Sequence, residues 1–203
     1  MRAVELPVVV LLVGEVAPQT LRSVALRLAG HLTHSGASVA VLEADFHGSG
    51  WRVARDKEFG LGPALEDDDG RDPDAVDVET SSHNGSGPGL ISVMLRGKTH
   101  SDPGVSLASD RFLSLLGRLV EQYDSVLVVG PPTEFQAEVY ALAEAADGVV
   151  LLVPPWIPRS HAASMTALRS VDGDARLLVS VFGEPEAMPL APALDKARDA
   201  PRR

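Results

Sequence analysis

The chain contains no cysteine and very few aromatic residues. None of its 203 residues is Cys, which excludes disulfide bonds, cysteine-based metal sites and thiol nucleophiles. Phe, Trp and Tyr make up only 4% of the chain, so a hydrophobic core has to be built from aliphatic side chains. The lack of cysteine agrees with a cytoplasmic protein, and we expect that location, with any membrane association made through a partner.

Long hydrophobic runs are also missing. The apolar stretch at 8–13 is far shorter than the roughly 20 residues that a membrane-spanning helix needs. A secretory signal is not indicated either, because Glu5 precedes this stretch and polar sequence with a helical pattern follows it. The sequence therefore predicts no direct membrane span.

The chain has fewer basic than acidic residues. The chain has 18 Lys and Arg against 28 Asp and Glu, a formal net charge of −10. Such a balance argues against non-specific binding to nucleic acid or to anionic lipid. The apolar share of 45% is nevertheless enough for a core, and the length fits a single domain.

Apolar segments alternate with stretches of helical periodicity along the chain. Continuous apolar strands that alternate with helices are typical of a parallel sheet covered on both faces. The fold class predicted is therefore α/β, with a mainly parallel sheet between two layers of helices. The predicted strands lie at 7–13, 38–44, 89–95, 125–129, 148–153 and 176–182, and the predicted helices at 20–35, 51–57, 106–123, 136–146 and 161–170.

Two segments do not fit the alternating pattern. Residues 66–88 are rich in Asp, Gly, Ser and Pro and nearly free of large apolar side chains, so they cannot offset the entropy cost of ordering. We predict a flexible acidic loop there, within one domain at 1–183. Residues 184–203 are rich in Pro, Ala and charge, and are predicted to be a frayed tail.

The first strand, loop and helix have the layout of a P-loop without its chemistry. A working P-loop uses glycines to bring backbone N–H groups around the phosphates, a Lys to reach them, and Ser or Thr to hold Mg²⁺. At the positions of the glycines and the Lys, residues 16–21 read VAPQTL. The layout is present, whereas the groups that would hold phosphate are not.

Three landmarks carry a family resemblance in their order and spacing. They are the loop at 13–23, the segment VAVLEADFHGSGWRVARDKEFGLGPAL at 39–65, and SLASDRFLSLLGRLVEQYDSVLVVGPP at 106–132, followed by AEVYALAEAADGVVLLV. Together they resemble the cytoplasmic domain of bacterial tyrosine kinases of capsule and exopolysaccharide synthesis. The chain is more distantly similar to the MinD/ParA group of deviant P-loop ATPases. The resemblance covers about residues 7–182 and implies that the α/β domain is a three-layer P-loop NTPase-like domain with a mainly parallel sheet.

The departures from that family concern the nucleotide site. Alignment with the family patterns "SAxPGEGKST", "LLIDADLRRP" and "YDxVIIDTPP" places Leu21 at the phosphate-binding Lys and Arg22 at the Mg²⁺-binding hydroxyl, with Ser23 beside it. The first Asp of "DAD" becomes Glu43 while Asp45 is kept, and the Asp of the third pattern becomes Val129. The resemblance thus implies a site with only vestigial positions, so no cofactor and no metal are expected.

Two interpretations remain open for the polar residues of this site. Arg22 either binds phosphate through its planar guanidinium or is a solvated arginine on the first turn of a helix. Glu43 and Asp45 lie at the carboxyl end of a strand, where ligands bind in open α/β sheets. They are either catalytic or metal-coordinating acids, or they are vestigial or hydrogen-bonded to the loop. The histidines, including His31 and His34, lack zinc-site spacing and are interpreted as surface residues.

The family resemblance and the departures from the family's nucleotide motifs together suggest a catalytically inactive protein that binds or scaffolds other proteins. The expected setting is envelope polysaccharide synthesis or export, or its regulation. One alternative is a weak ATPase or protein-tyrosine kinase that uses Arg22, Glu43 and Asp45 with ATP and Mg²⁺. A further alternative is a MinD/ParA-like pseudo-ATPase that positions a secretion or pilus machine.

A partner face is predicted where the related ATPases pair around nucleotide. An apolar loop beside an exposed aromatic residue is typical of a protein-binding patch. The expected partner is a second copy of this chain, a related ATPase or a membrane polysaccharide subunit. In the opposite interpretation the same side chains turn inward and fill the phosphate cavity. The residues of this face are Val16, Ala17, Pro18, Leu21 and Trp51.

Overall fold

A computed structural model describes residues 9–48, 60–67, 70, 72–80, 89–153 and 176–182. These residues form seven strands and five helices in an alternating order. The strands are β1 Val9–Gly14, β2 Val39–Glu43, β3 Ala75–Thr80, β4 Gly89–Met94, β5 Ser125–Pro132, β6 Gly148–Val153 and β7 Arg176–Phe182. The helices are α1 Pro18–His34, α2 Leu61–Glu66, α3 Pro103–Leu107, α4 Asp110–Gln122 and α5 Gln136–Glu144.

The strands form one sheet in the order β3-β4-β2-β5-β1-β6-β7. All neighbours run parallel except β3, which pairs with β4 in the antiparallel direction. Strand β1 lies between β5 and β6. The loop that follows β1 therefore starts at the middle of the sheet and not at its edge. The predicted α/β class with a mainly parallel sheet is confirmed.

The side chains of β1 alternate between two hydrophobic clusters, one on each face of the sheet. Leu12 packs with α1 residues such as Leu21 and Ala25 on one face. Leu11 packs on the other face with residues of the remaining helices, among them Phe112 of α4. Because successive side chains of a strand point to opposite faces, one apolar run supplies both clusters and produces the three layers.

Helix α1 ends at the glycine that the sequence marks. Gly36 has a φ of 98°, a conformation that costs glycine little. Its N–H donates to the Thr33 carbonyl at 3.0 Å, and the Ala37 N–H donates to the Leu32 carbonyl at 3.2 Å. These two bonds satisfy carbonyls of the last turn and stop the helix as predicted.

The prediction of one helix over 106–123 is wrong, because two helices meet there. Ser109 interrupts the helical run, and its hydroxyl accepts a hydrogen bond from the Phe112 N–H at 3.3 Å, which caps α4. Asp102 caps α3 in the same way through Gly104 and Val105. Apolar periodicity continues across the break, whereas the capping side chains set the boundaries.

The prediction of 66–88 as a loop without regular structure is wrong for its central part. Residues 75–80 form β3, whose backbone pairs with β4 from Ala75 opposite Met94 to Thr80 opposite Gly89. An edge strand tolerates acidic side chains because one of its faces and its free edge are not buried in the core. Helix α2, which ends at the first residue of this segment, was also missed, since its six residues are too few for a clear periodicity.

Several predictions fall on residues that the structure does not describe. They are the short helix at 51–57, the helix at 161–170 and the tail at 184–203. Within the described ranges, no helix has the length and apolarity required to cross a membrane.

Candidate functional site

The connection from β1 to α1 occupies the place of the P-loop. Only residues 15–17 separate Gly14 from Pro18, the first residue of the helix. The Glu15 N–H donates to the Leu152 carbonyl of β6 at 3.1 Å, and the Thr20 N–H donates to the Ala17 carbonyl at 2.8 Å. These two backbone donors are thus bonded inside the chain rather than directed toward a phosphate.

Leu21, at the position of the phosphate-binding Lys, is part of the core. Its side chain is 1% exposed and belongs to the cluster that contains Leu12 and Val129. Val129, which replaces a carboxylate of the family pattern, is buried in β5 and belongs to the same cluster. The site therefore offers aliphatic groups at two positions where a nucleotide site needs charge.

Burial corrects part of the predicted partner face. Leu21 is not available to a partner, because it faces the sheet from the inner side of α1. Val16 is half-buried and packs against the same cluster, Pro18 is half-buried and Ala17 is exposed. Trp51 lies outside the described residues. The loop alone, residues 16–18, thus remains as the described part of this face.

Arg22 points into the protein rather than into solvent, so its interpretation as a solvated residue is wrong. It lies on α1, and its Nη2 is 2.7 Å from Oε1 of Glu43 and 3.8 Å from Oδ2 of Asp45. The side chains of Arg22, Glu43 and Asp45 are 5%, 0% and 2% exposed. Ser23, the next residue, is also buried.

The two carboxylates are held by backbone groups as well. Asp45 Oδ1 accepts hydrogen bonds from the N–H groups of His47 and Gly48, each at 3.0 Å. Glu43 Oε2 accepts a longer one from the Arg96 N–H at 3.4 Å, and Arg96 Nη1 donates to the Asp45 carbonyl at 2.9 Å. Glu43 and Asp45 are therefore hydrogen-bonded to the segments that follow β2 and β4, with Arg22 as their shared cation.

The residues present do not fit a magnesium-bound phosphate. The place of the lysine is aliphatic, and Arg22 faces two carboxylates instead of an open cleft. In the described part of the chain, no group of three or more His, Asp or Glu side chains is placed to hold a metal ion. The arrangement is a closed ionic cluster at the carboxyl end of β2.

A second polar contact adjoins this cluster and was missed from the sequence. The ring of His47 stacks on Phe135 with centroids 3.5 Å apart and planes 7° from parallel. His47 Nε2 lies 2.9 Å from Oε1 of Glu138, a mostly buried residue of α5. These residues lie far apart in the chain, and no sequence pattern connects them. The contact ties the segment after β2 to α5.

A shallow cavity of about 210 Å³ lies away from the predicted site. It opens between α2 and α4, and none of the predicted site residues lines it. Its charged lining residues are Asp67, Asp110, Arg111 and Arg118. The cavity is smaller than the few hundred Å³ of a usual small-molecule pocket.

The fold is similar to that of solved kinase and ATPase structures. The VpsO kinase domain matches with a TM-score of 0.71 and 17% identity over 91% of this chain and 88% of that one. The kinase domain of the Escherichia coli tyrosine kinase ETK matches with a TM-score of 0.63 and 21% identity over 93% and 72%. Cobyrinic acid a,c-diamide synthase from Mycobacterium smegmatis, solved with an ATP analogue and magnesium, matches with a TM-score of 0.63 and 13% identity over 95% and 78%.

At these identities the similarity establishes the P-loop type of fold and not an activity. No family model and no curated protein matches the sequence. The resemblance to bacterial tyrosine kinases and to ParA-like ATPases thus holds at the level of the fold.

Proposed function

We propose that this chain is a catalytically inactive relative of the bacterial tyrosine kinases that binds or scaffolds other proteins. The observation that carries the proposal is the position of Leu21, whose side chain is buried in the core where a phosphate-binding lysine would stand. An aliphatic side chain donates no hydrogen bond and carries no charge, so it cannot hold a phosphate.

The backbone around Leu21 supports the same conclusion. Pro18 at the start of α1 has no N–H to donate, and the N–H of Glu15 already bonds to β6. A phosphate at this position would meet fewer donors than a glycine-rich loop provides. Rebuilding the site would therefore require changes in the loop as well as in the side chains.

A role in envelope polysaccharide synthesis or export, or in its regulation, is the setting that we propose. The three sequence landmarks support it, because their order resembles that of the capsule and exopolysaccharide kinases. The similarity of the fold to the VpsO and ETK kinase domains agrees with that branch. The proposed partner is a second copy of the chain, a related ATPase or a membrane polysaccharide subunit.

Nucleotide binding is the first test. The melting temperature of the wild-type chain is measured with ATP and Mg²⁺, and the M. smegmatis synthase serves as the positive control. A bound ligand at a hundredfold excess over its Kd adds about 2.7 kcal/mol to the free energy of unfolding. We expect no such shift for this chain. A shift that requires both ATP and Mg²⁺ would instead favour the weak ATPase or kinase that uses Arg22, Glu43 and Asp45.

The partner face is tested separately. The double variant Val16→Asp/Ala17→Asp introduces two charges into the loop, while exposed Gln122, at the end of α4, is changed to Asp as a control. Sedimentation and co-purification with a membrane polysaccharide subunit then report binding. We expect the loop variant to lose association and the control to keep it. Equal binding by both variants, with unchanged circular dichroism, would place the interface elsewhere.

A further inference from the structure

One nitrogen of Arg22 faces two buried acids. Nη2 is 2.7 Å from Oε1 of Glu43 and 3.8 Å from Oδ2 of Asp45, and all three side chains are almost fully buried. Two buried carboxylates without a cation would be strongly unfavourable, because desolvation penalises each negative charge. The guanidinium is therefore the group that makes this pair of acids compatible with burial.

The acids are oriented toward Arg22 by the rest of the chain. Asp45 Oδ1 is held by the N–H groups of His47 and Gly48, which leaves Oδ2 toward the guanidinium. Glu43 Oε2 contacts the Arg96 N–H, and Oε1 points to Arg22. Hard divalent cations in proteins take the same kind of ligand, namely carboxylate oxygens turned toward one point.

We infer that Arg22 is a permanent intrachain cation. Its guanidinium prevents divalent metal ions from binding to the Glu43–Asp45 pair. The inference rests on the proposed function, because it concerns the same site and explains what holds the acids of that site in place without nucleotide. It also goes further, since it assigns the closure to one residue. Removing the guanidinium should turn the two acids into a metal site.

The experiment measures binding of Mn²⁺ alone, without nucleotide. Arg22→Ser restores the hydroxyl that the family pattern has at this position, and Arg22→Gln removes the charge but keeps more of the side-chain volume. The triple variant R22S/E43Q/D45N removes the acids as well and controls for weak binding to the acidic surface. Bound Mn²⁺ is counted by electron paramagnetic resonance, and the melting temperature is recorded in parallel.

We expect saturable binding that approaches one Mn²⁺ per chain in R22S or R22Q, with a rise in melting temperature. The wild type and the triple variant should show neither effect. A single-residue variant that folds only when Mn²⁺ is added supports the inference equally. Folded single variants without a saturable site, or single variants that stay unfolded in millimolar Mn²⁺, overturn it. In that case the wild type can still fail to bind ATP, so the proposed function is judged by its own titration.

Discussion

Nη2 of Arg22 lies 2.7 Å from Oε1 of Glu43, and the two side chains are 5% and 0% exposed. The pair joins the second turn of α1 to the last residue of β2. The helix and the strand are thus joined directly through this buried ion pair.

Breaking this ion pair should be costly. Arg22→Met leaves Glu43 buried without its cation, and we expect the free energy of unfolding to fall by about 3–5 kcal/mol. The double variant Arg22→Met/Glu43→Gln should lose less than the sum of the single variants, because it leaves no charged Glu43 behind. Urea denaturation measures both.

Arg118 and Asp72 form a matched control for that measurement. Their contact is also 2.7 Å long, but the side chains are 38% and 36% exposed. Arg118→Met should therefore cost only about 0–1 kcal/mol. If Arg22→Met and Arg118→Met lower the free energy of unfolding equally, burial does not make the Arg22 ion pair more important for stability than the exposed pair.

Replacing Leu21 tests whether the former lysine position belongs to the core. Leu21→Ala should lower the free energy of unfolding by about 2–5 kcal/mol, because it removes a buried side chain and leaves a cavity. Leu113 of α4 is 50% exposed, so Leu113→Ala should change stability by about 0.5 kcal/mol or less. If the two variants unfold at the same urea concentration, Leu21 is not packed as described.

Gly14 should not tolerate a side chain. A Cβ at this position would overlap the carbonyl oxygen of Leu152 on the neighbouring strand, so Gly14→Ala has to displace backbone. We expect a large loss of thermal stability. Gly117 of α4 has open space around its Cα, and Gly117→Ala should stabilise the helix by about 0.5–1 kcal/mol. A Gly14→Ala chain that melts with the wild type would contradict the close approach of β1 and β6.

Glu66 should make stability depend on acid pH. Burial acts to raise its pKa, but hydrogen bonds from Thr99 Oγ1 and from the N–H groups of Ser101 and His100 outweigh it and lower the pKa from 4.5 to about 2. The ionised form is thus favoured in the folded state. Its contribution is present above about pH 4.5 and is lost as the pH falls toward 2.

The measurement compares unfolding of the wild type and Glu66→Gln from pH 6 to pH 2. The stability advantage of the wild type should shrink across the range from 4.5 to 2. Thr99→Val removes one donor and should move this loss to higher pH. A constant difference between wild type and Glu66→Gln over the whole range would exclude the proposed role of Glu66.

The sequence by itself determined the fold class, most strands and the absence of the P-loop lysine and glycines. Strand β6 was predicted with its observed bounds, and α1 was predicted with its end at Gly36, because apolar runs and terminating glycines act locally. The absence of a lysine at Leu21 also follows from alignment of the sequence with the family pattern. These features need no knowledge of the neighbours in space.

Only the tertiary structure decided where the polar residues of the site point. Arg22 turns inward because the carboxylates of Glu43 and Asp45 attract its guanidinium. Strand β3 forms from an acidic segment because its backbone pairs with that of β4. The stack of His47 on Phe135 joins residues whose proximity follows from the sheet order. Such contacts depend on partners that are distant in the chain, and the pattern of neighbouring residues carries no information about them.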